Sequence, residues 1–125
     1  MERPGERMEP IEKIDQILER DTRYRIEAYS FVLEALGHAM VQTGRVGHVT
    51  AAELMAGIRD HALDQFGALA KTVFNHWGIT QSSQFGDIVF NLIDAGLLGK
   101  RPEDRREDFD AASFDFDTEW VDRSS

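Results

Sequence analysis

The chain of 125 residues contains no cysteine, which excludes disulfides, thiolate metal sites and cysteine nucleophiles. Proline and tryptophan are scarce, at three and two. No apolar run approaches the roughly 20 residues that a helix needs to cross a bilayer, so no membrane partner is expected. Bases are outnumbered: 14 Lys and Arg stand against 23 Asp and Glu, a formal charge of −9. That surplus favours solubility and repels polyphosphate at long range, while leaving room for a local basic patch. The opening MERPGERMEP is charged and lacks the apolar stretch of a secretory signal, so a cytoplasmic location is expected.

What is present is helical periodicity, in a length suited to one core. The expected fold class is mostly α. Residues 1–7 are expected to be a disordered N-terminus, 8–116 a single helical domain that is winged-helix-like from about 51, and 117–125 an acidic, flexible tail. Ile11, Ile14 and Leu18 recur at helical steps after Pro10, which suits a first turn. Asp21 or Thr22 then stands where a longer helix to about Gln42 needs a cap. Its apolar stripe is Ala28, Phe31, Val32, Ala35, Leu36, Ala39 and Met40, and Gly44 is placed to stop it. Thr50-Ala-Ala-Glu53 has the form of a capping box, with Val49 and Leu54 at the spacing of a hydrophobic staple. The helix it opens presents Leu54, Met55, Ile58 and Ala62, and Gly67 either ends or bends it.

Phe66 to Lys100 has the outline of a helix-turn-helix. One helix carries Leu69, Val73, Phe74 and Trp77 up to Gly78. Ser82 or Ser83 is placed to cap a second, which carries Phe85, Ile88, Val89 and Leu92 up to Gly96. Leu97 and Leu98 suit a short strand, and Arg101 to Asp108 a solvated loop. Phe114 and Phe116 alternate with acids as in an edge strand, so a short β-hairpin or extended acidic tail could form the wing.

Much of the chain resembles a known family. Tyr24, Ala28-Tyr29, Phe31-Val32 and Glu34-Ala35-Leu36 are similar to the opening block of a small bacterial family of unknown function, largely restricted to planctomycetes, verrucomicrobia and related phyla. Gly44-Arg45, His48-Val49-Thr50, Glu53-Leu54 and Gly57-Ile58-Arg59 resemble its second block. Ala62-Leu63, Phe66-Gly67, Trp77-Gly78-Ile79, Phe85-Gly86, Ile88 to Leu92 and Gly96-Leu97-Leu98 resemble its third, and Asp108-Phe109 with Phe114-Asp115-Phe116 its ending. The likeness runs from about Tyr24 to Phe116. It departs at Ala51, where the family has Gly, and at Gln84, where it has Asp. The resemblance implies a soluble bacterial domain and brings no activity, cofactor or catalytic residue.

The helix-turn-helix outline suggests nucleic acid, but the charges oppose it. From Ser83 to Ala95 there is no Lys or Arg, while Asp87 and Asp94 are present; residues 107 to 122 hold seven acids and no base. Such a surface would release few counterions. A second candidate is the patch Arg20, Arg23, Tyr24 and Arg25, where arginines flank an aromatic as in single-strand binding, although Glu19, Asp21 and Glu27 lie among them. Gly44-Arg45-Val46-Gly47-His48, feeding a capped helix, has the ingredients of a small anion site, with Arg45 and His48 as its candidates. A tight connection with a local His48 hydrogen bond accounts for the same residues.

The histidines at 38, 48, 61 and 76 show no metal-ligand spacing, and no serine sits in a nucleophile context. No catalytic, cofactor or metal residue is therefore assigned. Phe109, Phe114, Phe116 and Trp120 alternate with acids beyond the helical body. They either complete the fold or await a partner, with Trp120 expected to be exposed. The expected function is a non-catalytic protein-interaction module with an acidic surface, docking through these four aromatics onto another protein. The alternative is a nucleic-acid-associated protein using the Arg20 to Arg25 patch.

Overall fold

Periodic apolar stripes become helices in the computed structural model, which describes residues 10–44, 49–98, 106–116 and 120. The elements are α1 (Pro10–Arg20), α2 (Ile26–Thr43), α3 (Ala51–Phe66), a 3-10 turn (Gly67–Leu69), α4 (Ala70–His76), α5 (Gln84–Asp94) and α6 (Arg106–Ala111). The chain is thus mostly α, and no strand occurs among the described residues. The strand expectations at Leu97-Leu98 and at Phe114 to Phe116 are corrected accordingly. The Leu97 amide donates to the Leu92 carbonyl at 2.9 Å behind the left-handed Gly96, which folds these residues back onto α5. Of the loop expected from Arg101 to Asp108, residues 106–108 belong to α6, and 101–105 lie outside the described residues.

The α2–α3 pair is the spine. Phe31 and Glu34 lie against His61, and Ala35 and Ala39 lie against Gly57, so the two helices run antiparallel. A Cβ on Gly57 would stand 3.1 Å from both the Ala35 carbonyl oxygen and the Ala39 methyl, and small residues at this crossing let the backbones approach. The Thr50 capping box forms as its spacing predicts: Oγ1 accepts from the Glu53 amide at 3.1 Å, and Glu53 Oε1 accepts from the Thr50 amide at 2.9 Å. Such a cap is worth about 1 kcal/mol. α5 packs on α2, α1 lies against both, and α6 spans α3 and α5.

Two helix starts differ from expectation. α2 opens at Ile26 behind an extended Arg25, not at Asp21 or Thr22. Asp21 is unavailable as a cap because Arg23 and Asn91 hold its carboxylate. At α5 Ser83 holds the cap position, but its side chain makes no capping hydrogen bond. Gln84 Oε1 instead accepts from the Thr80 and Gln81 amides at 2.6 and 3.0 Å, while Ser82 turns inward to Phe114. At Gly67 the backbone reaches φ 55°, which ends α3 and redirects the chain through the 3-10 turn into α4. The buried stripe of α1 is Ile14 and Ile17, with Leu18 only partly covered.

Candidate functional site

Two constellations concentrate the chemistry. The first is a polar network that joins the α1–α2 connection to α5. Arg23 donates through Nη2 and Nε to the Asp21 carboxylate at 2.7 and 2.9 Å, and through Nη1 to Asp87 Oδ2 at 3.2 Å. The Tyr24 hydroxyl donates to the same Asp87 oxygen at 2.7 Å. Asn91 Nδ2 donates to Asp21 Oδ2 and to the Tyr29 hydroxyl, both at 3.0 Å. Asp87 and Asn91 are one helical turn apart on α5, so a single face reaches both.

These contacts fix the protonation states. The Arg23 hydrogen bonds hold the Asp21 carboxyl well below the usual carboxylate range, helped by Asn91, and they raise the Arg23 guanidinium in turn. Burial pushes the Tyr24 phenol up, reinforced by its bond to Asp87, and burial likewise raises Tyr29. None of these groups is poised to exchange a proton near neutrality.

The network takes in two residues of the candidate basic patch, Arg23 and Tyr24. Arg23 is committed to two carboxylates, and the Tyr24 ring is buried at 2% exposure beneath it, with Cζ of Arg23 5.0 Å from the ring centre. A ring so covered offers no face to a base. Arg25 lies 3.8 Å from Glu27, and its amide donates to the Trp77 carbonyl. Arg20 is exposed in the last turn of α1, where its charge complements the helix dipole. Arg20, Arg23 and Arg25 are exposed, while Tyr24 between them is buried.

The second constellation is aromatic. Phe74, fully buried, has ring neighbours Phe31, Phe66, Trp77, Phe85, Phe116 and Trp120 at 5.1–6.2 Å. Phe114 meets Trp120 edge-on at 5.4 Å, and Phe109 meets Phe90 at 5.8 Å. The expected docking aromatics are therefore core or core-facing. Phe109, Phe116 and Trp120 are 3, 7 and 3% exposed, and Phe114 is half-buried. The expected exposure of Trp120 is wrong because the α4–α5 rings leave a place for its indole. Arg45 and His48, and with them the anion-site reading, lie outside the described residues, as do residues 1–7 and all of 117–125 except Trp120.

One side of the aromatic core is open. A groove of about 300 Å³ lies between α2 and α3. Its walls include Phe31, Phe66 and Trp77, and its rim carries Glu27, Glu34 and Gln65. Phe66 and Trp77 are half-buried and stand 5.7 Å apart at 79°, making a corner of ring surface. His61 stacks on Phe31 at 4.9 Å. Its Nε2 lies 3.7 Å from Glu34 Oε1 and, although buried, makes no hydrogen bond among the described residues. The sequence reading assigned these residues to the core or passed over them. The available signal was Glu27, Ser30 and Glu34 at i, i+3 and i+7, a polar line beside Phe31 on one helix face.

A second, polar cleft of about 270 Å³ is lined by Thr80, Ser82, Ser83, Ser113 and Phe114. Ser82 is occupied there, since its hydroxyl both donates to and accepts from the Phe114 backbone. Among the described residues no group of three or more His, Asp or Glu is arranged to hold a metal ion. No family model, curated protein or solved structure matches the chain, so the family resemblance rests on the quoted residues alone.

Proposed function

We propose that the chain is a non-catalytic protein-interaction module that docks a partner segment in the α2–α3 groove. The observation that carries this reading is the groove itself, where the half-buried rings of Phe66 and Trp77 border an opening of about 300 Å³ with carboxylates beside it. The partner of matching chemistry is an apolar segment with basic flanks, because Glu27 and Glu34 stand on the rim and the chain carries a charge of −9. An acidic surface of this kind also suits a cytoplasmic adaptor, and no described helix is long and apolar enough to cross a membrane.

The α4–turn–α5 unit keeps a helix-turn-helix outline in this reading, as a scaffold and not a DNA hook. Its turn is braced by Gly78 against Arg23, and Asp87 on its second helix faces Arg23 and Tyr24. The internal pairing of Arg23 and the burial of Tyr24 favour protein docking over the nucleic-acid alternative.

Selection of displayed random peptides tests the proposal. Peptides should be enriched on the wild type and lost on Ser30→Trp, which fills the groove from an exposed position without entering the core. Enrichment that survives Ser30→Trp, or no enrichment, would count against it. Sedimentation of the free protein adds a check, because a groove-dependent dimer would make a second copy the occupant instead.

A further inference from the structure

Resting on the docking reading, we infer that the groove recognises its partner by one cationic side chain, a lysine or arginine laid against the half-buried Phe66–Trp77 corner with its head between Glu27 and Glu34. Three features converge on this chemistry. Aromatic faces attract a cation through the ring quadrupole, within about 6 Å of the ring centre. Phe66 and Trp77 are both half-buried and meet at 79° with ring centres 5.7 Å apart, so a stem entering the groove meets two ring surfaces, while Phe31, 3% exposed, offers almost none.

The carboxylates sit where the head of such a stem would emerge. Glu27 and Glu34 are two turns apart on the face of α2 that bounds the groove, with Ser30 between them. No Lys or Arg is among the residues lining it. Arg25 approaches Glu27 only to 3.8 Å, with both side chains about half exposed, a weak pair that an incoming cation can replace. Glu34 is 65% exposed. His61 Nε2 lies 3.7 Å from Glu34 Oε1 behind the same wall and has no hydrogen-bond partner among the described residues.

An apolar stem with a charged tip matches this order of surfaces, with methylenes against the rings and charge at the rim. A purely aliphatic anchor would fill the corner but leave the rim carboxylates without a partner. Long-range attraction from the net negative charge acts in the same direction and raises the encounter rate.

The experiment titrates n-butylammonium and its neutral counterpart n-butanol into the full chain, following the Trp77 indole and the groove amides by NMR. The cation is expected to bind about fivefold or more tighter than the alcohol, the equivalent of ~1 kcal/mol. The Glu27→Gln/Glu34→Gln double variant should weaken it at least twofold toward the level of the alcohol, the rings keeping the remainder. Both glutamates are exposed, so the variant should keep the wild-type helical circular dichroism and urea midpoint. Equal binding of the two probes, undiminished cation binding in the double variant, or no shift with either probe would overturn the inference. Groove-dependent peptides selected without any basic residue would overturn it too, while leaving the docking reading in place.

Discussion

Ser82 and Phe114 exchange two hydrogen bonds across 32 positions of sequence: the hydroxyl donates to the Phe114 carbonyl and accepts from its amide, each at 2.9 Å. Ser82 is 3% exposed, so this pair satisfies the Phe114 backbone where no strand partner does. It anchors the C-terminal aromatics to the turn before α5.

Replacing Ser82 with Ala should therefore cost about 1–3 kcal/mol, the penalty for leaving buried backbone groups unpaired. Urea denaturation reads the total. Hydrogen exchange should show faster opening concentrated in residues 112–116, and a uniform change across the helices would contradict the anchoring role.

Gly78 and Gly37 make opposite predictions for the same substitution. Gly78 has φ 93°, and a Cβ there would collide with the Arg23 carbonyl oxygen. Gly78→Ala should cost more than the roughly 1–3 kcal/mol of an unfavourable backbone alone. Gly37 lies inside α2 with nothing within 4 Å of a new Cβ. Gly37→Ala should stabilise by about 0.5–1 kcal/mol. Thermal midpoints of the two variants check both signs.

The Asp21 carboxyl titrates lower in the folded chain than in the unfolded one. Its contribution is present in full above the unfolded pKa of about 3.9 and is lost as pH falls below that value toward the folded one. Asp21→Asn should lower the urea midpoint at neutral pH and weaken the fall in stability between neutrality and about pH 3. Tyr24 and Tyr29 act at the other end. Their raised folded pKa values give stability that is intact below about pH 10 and lost above it. An absorbance titration of phenolate should show both tyrosines resisting ionisation until the chain unfolds.

Trp120 is buried among Phe74, Phe114 and Phe116, but its Nε1 has no hydrogen-bond partner among the described residues. Trp120→Ala should cost about 3–5 kcal/mol, as for large aromatics removed from a core. Trp120→Phe keeps most of the ring contact and deletes the unpaired donor, so it should cost much less. Equal losses for the two would show that packing around the indole contributes little.

The parts legible in the sequence were those set by local chemistry. The Thr50 box, the stops at Gly44 and Gly96 and the stripe of α5 all follow from adjacent residues, and each forms, while in the α2 stripe Leu36 and Met40 are only partly buried and Tyr29 is buried in addition. What escaped depends on distant partners. Asp21 looks like a cap until Arg23 and Asn91, 70 positions away, claim its carboxylate. Phe109, Phe116 and Trp120 look like docking aromatics until the α4–α5 rings give them somewhere to pack. Glu27 and Glu34 read as ordinary exposed helix positions, because a groove arises only when α3 brings His61 and Phe66 alongside.

Under the proposed function a partner docks in the α2–α3 groove and not on the C-terminal aromatics. Chemical-shift mapping of a selected basic–apolar peptide tests it most directly. Shifts centred on Ile26, Ser30, Glu34, His61, Gln65 and the Trp77 indole, with Phe109, Phe116 and the Trp120 indole unmoved, are the predicted result. Shifts centred on Phe109 to Trp120 with a silent groove would contradict it.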